Sequence, residues 1–268
     1  MRRGVGPVTL FLSAVALVAA GAPGAGNGVT SPVEGSFKYC SDPTFPPMES
    51  KTAAGTPIGF DIDMANAIGK LWKVEAGLVQ TAFPGLLPGL ASKRCHMVIS
   101  AIFVTPDRVK RFPAVGYMRT HRALVVQAGN PRRIKGPNDL AGKVVAVQAG
   151  TKYEEYLTAL NDRLEQAGGA RFTLQSYPGD TDAMAQLLIG RADAVLTQDT
   201  SGAFQKKRHP GKFEIAFLFP DTDTFGIYYR RSDRELGAAL RAAIARLKAN
   251  GTLRRIAAGH EIPLADVK

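Results

Sequence analysis

Arg108 stands three residues after Thr105, just beyond the apolar run Met97-Val98-Ile99-Ser100-Ala101. Thr105 reads as a helix N-cap whose hydroxyl serves an early amide, and Pro106 as the first helical residue, where a missing N–H costs nothing. Arg108 then falls in the first turn, where the helix dipole disfavours a cation. A guanidinium placed against that local preference, beside a strand end, suggests an anionic ligand gripped through two parallel hydrogen bonds. The competing reading is an ion pair with a nearby carboxylate, Asp107 or Asp63. A second anion-seeking position follows Gln148-Ala149-Gly150, where Thr151 precedes a helix beginning near Lys152. Its amide and hydroxyl would project from a helix N-terminus, which attracts negative charge, although a plain N-cap would use the same residue. Arg108 and Thr151 could pinch one carboxylate between them.

Phe45 lies in the proline-rich loop Ser41-Asp42-Pro43-Thr44-Phe45-Pro46-Pro47-Met48-Glu49-Ser50, and Phe83 precedes Pro84-Gly85 in a strand-to-helix turn. Aromatic rings are more often core, but these two sit where a core role is less natural. With Phe103 they could form an aromatic wall suited to a cation over ring faces. Asp42 is either a turn cap beside Pro43 or an acid facing a ligand. Glu49 reads as a loop residue that pairs locally, and Asp61 and Asp63 as caps of the helix that follows Gly59. The four histidines, His96, His121, His209 and His260, show no metal-ligand spacing. Neither a Ser, His and Asp set nor a Gly-x-Ser-x-Gly elbow is present, so hydrolysis and metal catalysis find no support. No catalytic residue, metal or cofactor is expected.

These residues must be positioned by the elements around them. Short apolar strands are expected over 37–40, 75–80, 97–101, 124–127, 144–148, 172–177, 194–197, 213–219 and 226–230. Helical periodicity is expected over 62–71, 86–91, 153–166, 182–189, 233–249 and 253–258. Such alternation argues for an α/β fold of mostly parallel sheets with crossover helices. Ligands of open α/β sheets sit at the carboxyl ends of strands, so two such lobes facing each other would hold a ligand between them. One lobe is expected from residues 33–120 with 224–268 and the other from 121–223, hinged where the chain crosses near 117–123 and 220–225.

Residues 1–25 read as a secretory signal: Arg2 and Arg3, an apolar run over 8–20, then small residues for cleavage. The apolar run is shorter than the roughly 20 residues that span a bilayer. No cysteine stands near the cleavage region, so no lipid anchor is expected, and the compartment is the periplasm. The formal charge of +11 invites a nucleic-acid reading. The export signal, the spread of Lys and Arg along the chain and the shortness of its longest later basic run, Lys206-Lys207-Arg208, argue against that reading. Cys40 closes one expected strand and Cys95 opens another parallel to it, which would separate them by roughly 15 Å. A disulfide needs Cα atoms within about 7 Å, so two free thiols are expected.

The loop 41–50 followed by Gly59-Phe60-Asp61-Ile62-Asp63 resembles the first ligand loop of bacterial extracellular solute-binding proteins of family 3, in particular those that capture lysine, arginine, ornithine or histidine. Met97–Ala101 with Thr105-Pro106-Asp107-Arg108, Asp139–Lys143 with Val147–Thr151, and Gly190–Val195 resemble further family motifs in family order. The resemblance implies a two-lobed periplasmic-binding-protein fold of type II, acting as a monomer that closes by a hinge on an amino acid or derivative and delivers it to an inner-membrane ABC permease. It places Asp42, Phe45, Phe83, Ser100, Ala101, Phe103, Arg108, Gly150, Thr151 and Gln198 at the ligand. Two positions depart from the family. Phe103 stands where a Ser or Thr is common, and Gln198 where an Asp meets the ligand's α-ammonium, with Asp199 one place later. The resemblance therefore keeps the carboxylate anchor and weakens the ammonium anchor, which points to an amino acid held by neutral acceptors, or to an amino-acid derivative or betaine. The same fold also hosts periplasmic cyclohexadienyl (arogenate/prephenate) dehydratases. That alternative needs a cleft acid, and the segment 197–201 offers only Asp199.

Overall fold

The structure of the chain, a computed structural model, describes residues 31–267 together with Met1 and Gly4. Apart from those two residues, the export signal expected over 1–25 lies outside the described residues. The strands are β1 (Ser36–Ser41), β2 (Ser50–Lys51), β3 (Pro57–Ile58), β4 (Glu75–Gln80), β5 (Met97–Val98), β6 (Ala114–Gln127), β7 (Val144–Gln148), β8 (Thr173–Tyr177), β9 (Ala194–Gln198) and β10 (Phe213–Tyr229). The helices are α1 (Phe60–Trp72), α2 (Leu86–Ala91), α3 (Pro106–Arg111), α4 (Lys152–Gln166), α5 (Asp180–Leu188), α6 (Asp199–Arg208), α7 (Arg234–Ala249) and α8 (Thr252–Gly259).

Phe60, Met64, Ile68 and Trp72 recur every fourth residue on α1, and all four are buried. Leu236, Leu240, Ala243 and Leu247, spaced four, three and four apart, form the buried stripe of α7. At the start of α1, Gly59 has φ 131°, and a Cβ there would lie 2.3 Å from the Met48 carbonyl oxygen. The loop carrying Phe45 and Glu49 can therefore lie directly on this helix start only because position 59 is glycine.

The strands form one sheet in the order β4-β1-β5-β10-β6-β9-β7-β8. One end holds β4, β1 and β5 in parallel and the other holds β7, β8 and β9 in parallel. Between them β6 and β10 run antiparallel to each other along most of their length, from Phe213↔Gln127 to Tyr228↔Ala114. β10 pairs with β5 near its C-terminal end, while β6 pairs with β9 near its own. The two crossings expected as hinges are thus parts of long paired strands. The polar stretches 119–122 and 221–223 hide this in the sequence, because they interrupt the apolar alternation. In the ribbon they face each other instead, with Arg122 on Asp221 and Asp223. Its register slips between Ile215 and Phe217, between Leu218 and Thr222 and again between Phe225 and Gly226.

Two further expectations are corrected. Cys40 and Cys95 form a disulfide with Cα atoms 5.7 Å apart. β5 is only two residues long, so Cys95 does not open a strand but lies in the connection that comes down from α2. There it meets Cys40 in an apolar cluster with Leu86, Leu90 and Val98. A separation of roughly 15 Å holds only for cysteines at opposite ends of two full-length parallel strands, and β5 begins only at Met97. Residues 199–208, left without an element by the sequence pattern, form α6. Its buried side is Thr200, Ser201, Gly202 and Gln205, which carries no apolar signature.

Candidate functional site

Thr105 caps α3 as its spacing implies, its hydroxyl accepting from the Arg108 amide at 3.4 Å. The Arg108 side chain turns back so that Nη1 donates to the Phe103 carbonyl at 3.2 Å, with the guanidinium 5.8 Å from the Phe83 ring centre. The carboxylates that could have neutralised it are engaged elsewhere: Asp107 pairs with Lys110 and Asp63 with His260. Among the described residues no carboxylate lies within ion-pair distance of Arg108. Burial pushes its guanidinium below the usual arginine value. A half-buried cation without an anion is a standing site for one.

The acidic residues of the first loop lie beneath this end. Asp42 sits at the exit of β1, its amide donating to Ser100 Oγ at 2.9 Å. Its Oδ2 accepts from the Phe83 amide at 3.0 Å and from Gln148 Nε2 at 2.9 Å. Burial nonetheless holds the Asp42 carboxyl above the ordinary carboxylate range, against hydrogen bonds that favour its ionised form. Glu49 is not a locally paired loop residue: it is buried and accepts from Ser100 Oγ at 2.9 Å. Asp61 is not a helix cap either, since the start of α1 has no side-chain cap. It is buried and accepts from the Ala101 amide at 2.7 Å and the Tyr117 hydroxyl at 2.9 Å.

The opposite wall comes from the other end of the sheet. Thr151 caps α4, accepting from the Glu154 amide at 3.3 Å while its hydroxyl donates to the Gln148 carbonyl at 2.7 Å. The hydroxyl is therefore committed. Gly150 does not line the cavity. With φ 73° it lets the chain pass Pro84 so closely that a Cβ would lie 2.9 Å from that ring. The two ends of the sheet also meet at Thr44, whose carbonyl accepts from the Thr181 amide at 3.1 Å, and where Tyr153 packs edge-on against Phe103.

Gln198 closes the cavity at the end of β9. Its Oε1 is buried and has no hydrogen-bond partner among the described residues. Asp199 does not take its place, because its Oδ1 accepts from Thr120 on β6 at 2.7 Å and from the Thr200 amide. Behind Gln198, Asp180 accepts from the hydroxyls of Thr197 and Ser201, each at 2.7 Å, which fixes the turn from β9 into α6. Burial raises the Asp180 carboxyl to about 6. Phe103 stacks on Phe225 with ring centres 5.5 Å apart and gives the cavity an aromatic surface.

The cavity between the walls measures about 350 Å³ including its mouth. Nine of the ten expected residues line it: Asp42, Phe45, Phe83, Ser100, Ala101, Phe103, Arg108, Thr151 and Gln198. Glu49, Gln148, Lys152 and Tyr153 also line it. Lys152 and Tyr153 follow Thr151 directly at the start of α4, so their exposure to the cleft was foreseeable from that cap. Tyr153 carries a buried hydroxyl without a partner among the described residues. Glu49 gave no signal, because an acid in a loop is ordinarily solvated.

A sheet whose two ends face each other across a paired ribbon, with a small polar and aromatic cavity enclosed between them, defines a two-lobed ligand-binding protein of the type II periplasmic-binding-protein fold. Residues 37–260 match the family described as bacterial extracellular solute-binding proteins, family 3, and the chain belongs to that family. It is 28% identical to the L-cystine-binding protein TcyJ of Escherichia coli over 80% of this chain and 77% of that protein. It is 29% identical to the histidine-binding periplasmic protein of Salmonella typhimurium over 81% of this chain and 84% of that one. Among solved structures, an ancestral arginine-binding protein bound to arginine superposes with a TM-score of 0.78 at 29% identity, covering 84% of this chain and 98% of that one. The ancestral amino acid-binding protein AncCDT-1, a precursor of cyclohexadienyl dehydratase, superposes with a TM-score of 0.75 at 25% identity, covering 84% and 95%. No helix among the described residues is long and apolar enough to cross a membrane.

Proposed function

We propose that this protein is an exported periplasmic receptor that captures a small amino-acid-like carboxylate and delivers it to an inner-membrane ABC permease without altering it chemically. The observation that carries this reading is the Arg108 guanidinium, facing the enclosed cavity with no carboxylate partner among the described residues. The ligand carboxylate lies between Arg108 and the start of α4 at Thr151, and its body lies among Phe45, Phe83 and Phe103. The second polar group of the ligand is an N–H donor, met by the unpartnered Oε1 of Gln198. Histidine, arginine and cystine, the ligands named for the relatives, set the size range. The loss of an acid at position 198 favours an amino acid held by neutral acceptors, an N-substituted derivative or a betaine. Residues 33–120 with 224–268 and residues 121–223 act as the closing lobes of a monomer, hinged on the β6 and β10 ribbon. A ligand touching both walls biases the pair toward the closed form.

A thermal-shift screen of amino acids and N-substituted analogues, followed by calorimetric titration, tests the reading. Tight binding of unmodified arginine or lysine that is abolished by Gln198→Ala would sink the derivative version. The AncCDT-1 likeness keeps a dehydratase in view as a second reading. Its acid would have to come from Asp42, tied to Gln148, or from Glu49, tied to Ser100. Turnover of prephenate or arogenate would establish it.

A further inference from the structure

Glu49 and Asp61 are both buried, and each has one satisfied and one orphaned carboxyl oxygen. Glu49 Oε1 accepts from Ser100 Oγ, and Asp61 Oδ2 accepts from the Ala101 amide and the Tyr117 hydroxyl. Glu49 Oε2 and Asp61 Oδ1 have no donor among the described residues. The two side chains are brought together by the Asp61 amide, which donates to the Met48 carbonyl at 2.8 Å, and by their anchors on the adjacent residues Ser100 and Ala101. Two ionised carboxylates cannot stay in contact in a buried place without a cation.

We infer that Glu49 and Asp61 hold a single proton between their orphaned oxygens, and that this shared proton positions the Ser100–Ala101 wall of the ligand cavity. The inference concerns a proton and not a ligand, so it stands or falls apart from the proposed function. Each member of the pair grips one residue of that wall. Glu49 reaches Ser100, which in turn holds the Asp42 amide, and Asp61 reaches Ala101. Ala101 has φ 42°, a left-handed conformation that a residue with a Cβ adopts only when its surroundings impose it. The Asp61 bond to its amide is one such constraint.

The groups facing the pair support one shared proton. Asp42, from the loop after β1, and Asp63, on α1, add negative charge. Tyr39 on β1 and Tyr117 on β6 stay protonated, held up chiefly by burial and further by these carboxylates. Among the described residues the basic group acting on Asp61 is His260, beyond α8, which is hydrogen-bonded to Asp63. Burial is the first cause for both acids: it raises Asp61 to about 6 and Glu49 well above the ordinary carboxylate range. Burial and the neighbouring charge therefore both favour a protonated form of the pair.

The sign of the pH effect follows. Glu49 binds its proton more tightly folded than unfolded, so its contribution is present at low pH and is lost as pH rises from the unfolded value through the folded one. Across that window the folding equilibrium constant falls by up to tenfold per pH unit for one proton. Glu49→Gln supplies a permanent N–H toward Asp61 and keeps an oxygen for Ser100. Denaturant unfolding of the full chain, followed upward from about pH 5, just above the unfolded carboxylate value, should therefore show a one-proton difference in slope between wild type and E49Q. In the infrared, the wild type should show a protonated-carboxyl stretch at pH 7 that is absent in E49Q. Parallel pH profiles with no such band would overturn the inference. If E49Q fails to fold, the wild-type spectrum decides alone, and the absence of the band at pH 7 overturns it.

Discussion

The two ends of the ligand cavity are built on opposite electrostatic terms. At one end Arg108 is a full charge with no counter-charge among the described residues, braced by the Phe103 carbonyl and the Phe83 ring. At the other, Gln198 offers a neutral oxygen with no donor among the described residues. The first end demands an anion and the second merely accepts a donor. Selectivity for a carboxylate should therefore be strong and selectivity for a charged amine weak.

Changes at the Arg108 end should have the larger effects. Replacing both cysteines, Cys40→Ser with Cys95→Ser, opens a loop of sequence separation 55 behind this end and should lower unfolding stability by about 4 kcal/mol in denaturant titrations. Cys40 and Cys95 share their apolar cluster with Phe83 and Val109, so ligand affinity should fall as well. Arg108→Ala should weaken binding by about 3 kcal/mol in calorimetry, in the range seen when one partner of a buried charge pair is lost. At the other end, Gln198→Asp would add the charge that the neutral acceptor lacks. It should tighten binding of a cationic α-amino ligand by about 1–2 kcal/mol, the difference between a charged and a neutral hydrogen bond. If it does not, Gln198 does not face the amine and the contrast between the ends is wrong. The smallest expected effect is Tyr228→Phe, about 1 kcal/mol of stability, because the Tyr228 hydroxyl donates to the Phe103 carbonyl that also receives Arg108.

The same contrast shows how much the sequence could disclose. Helix and strand periods placed β4, β7 and α2 at the boundaries observed, and the capping chemistry of Thr105 and Thr151 located both walls. Such signals are local, and local signals survive in a linear reading. The disulfide was missed because it depends on where a connection crosses over a sheet face. The ribbon is hidden because polar residues along it are satisfied by a partner strand about a hundred positions away, as Arg122 on Asp221 and Asp223 shows. The sequence reads Glu49 as a locally paired loop residue and Asp61 as a helix cap, because burial of an acid cannot be read from its neighbours in the chain. Each of these misses is a long-range contact.

The most direct measurement compares the tightest ligand from the thermal-shift screen with its carboxamide, titrated calorimetrically into wild type and Arg108→Ala. The amide should bind the wild type about 100-fold more weakly than the acid, and the variant should bind the two alike. Equal binding of acid and amide by the wild type would contradict a carboxylate held at Arg108.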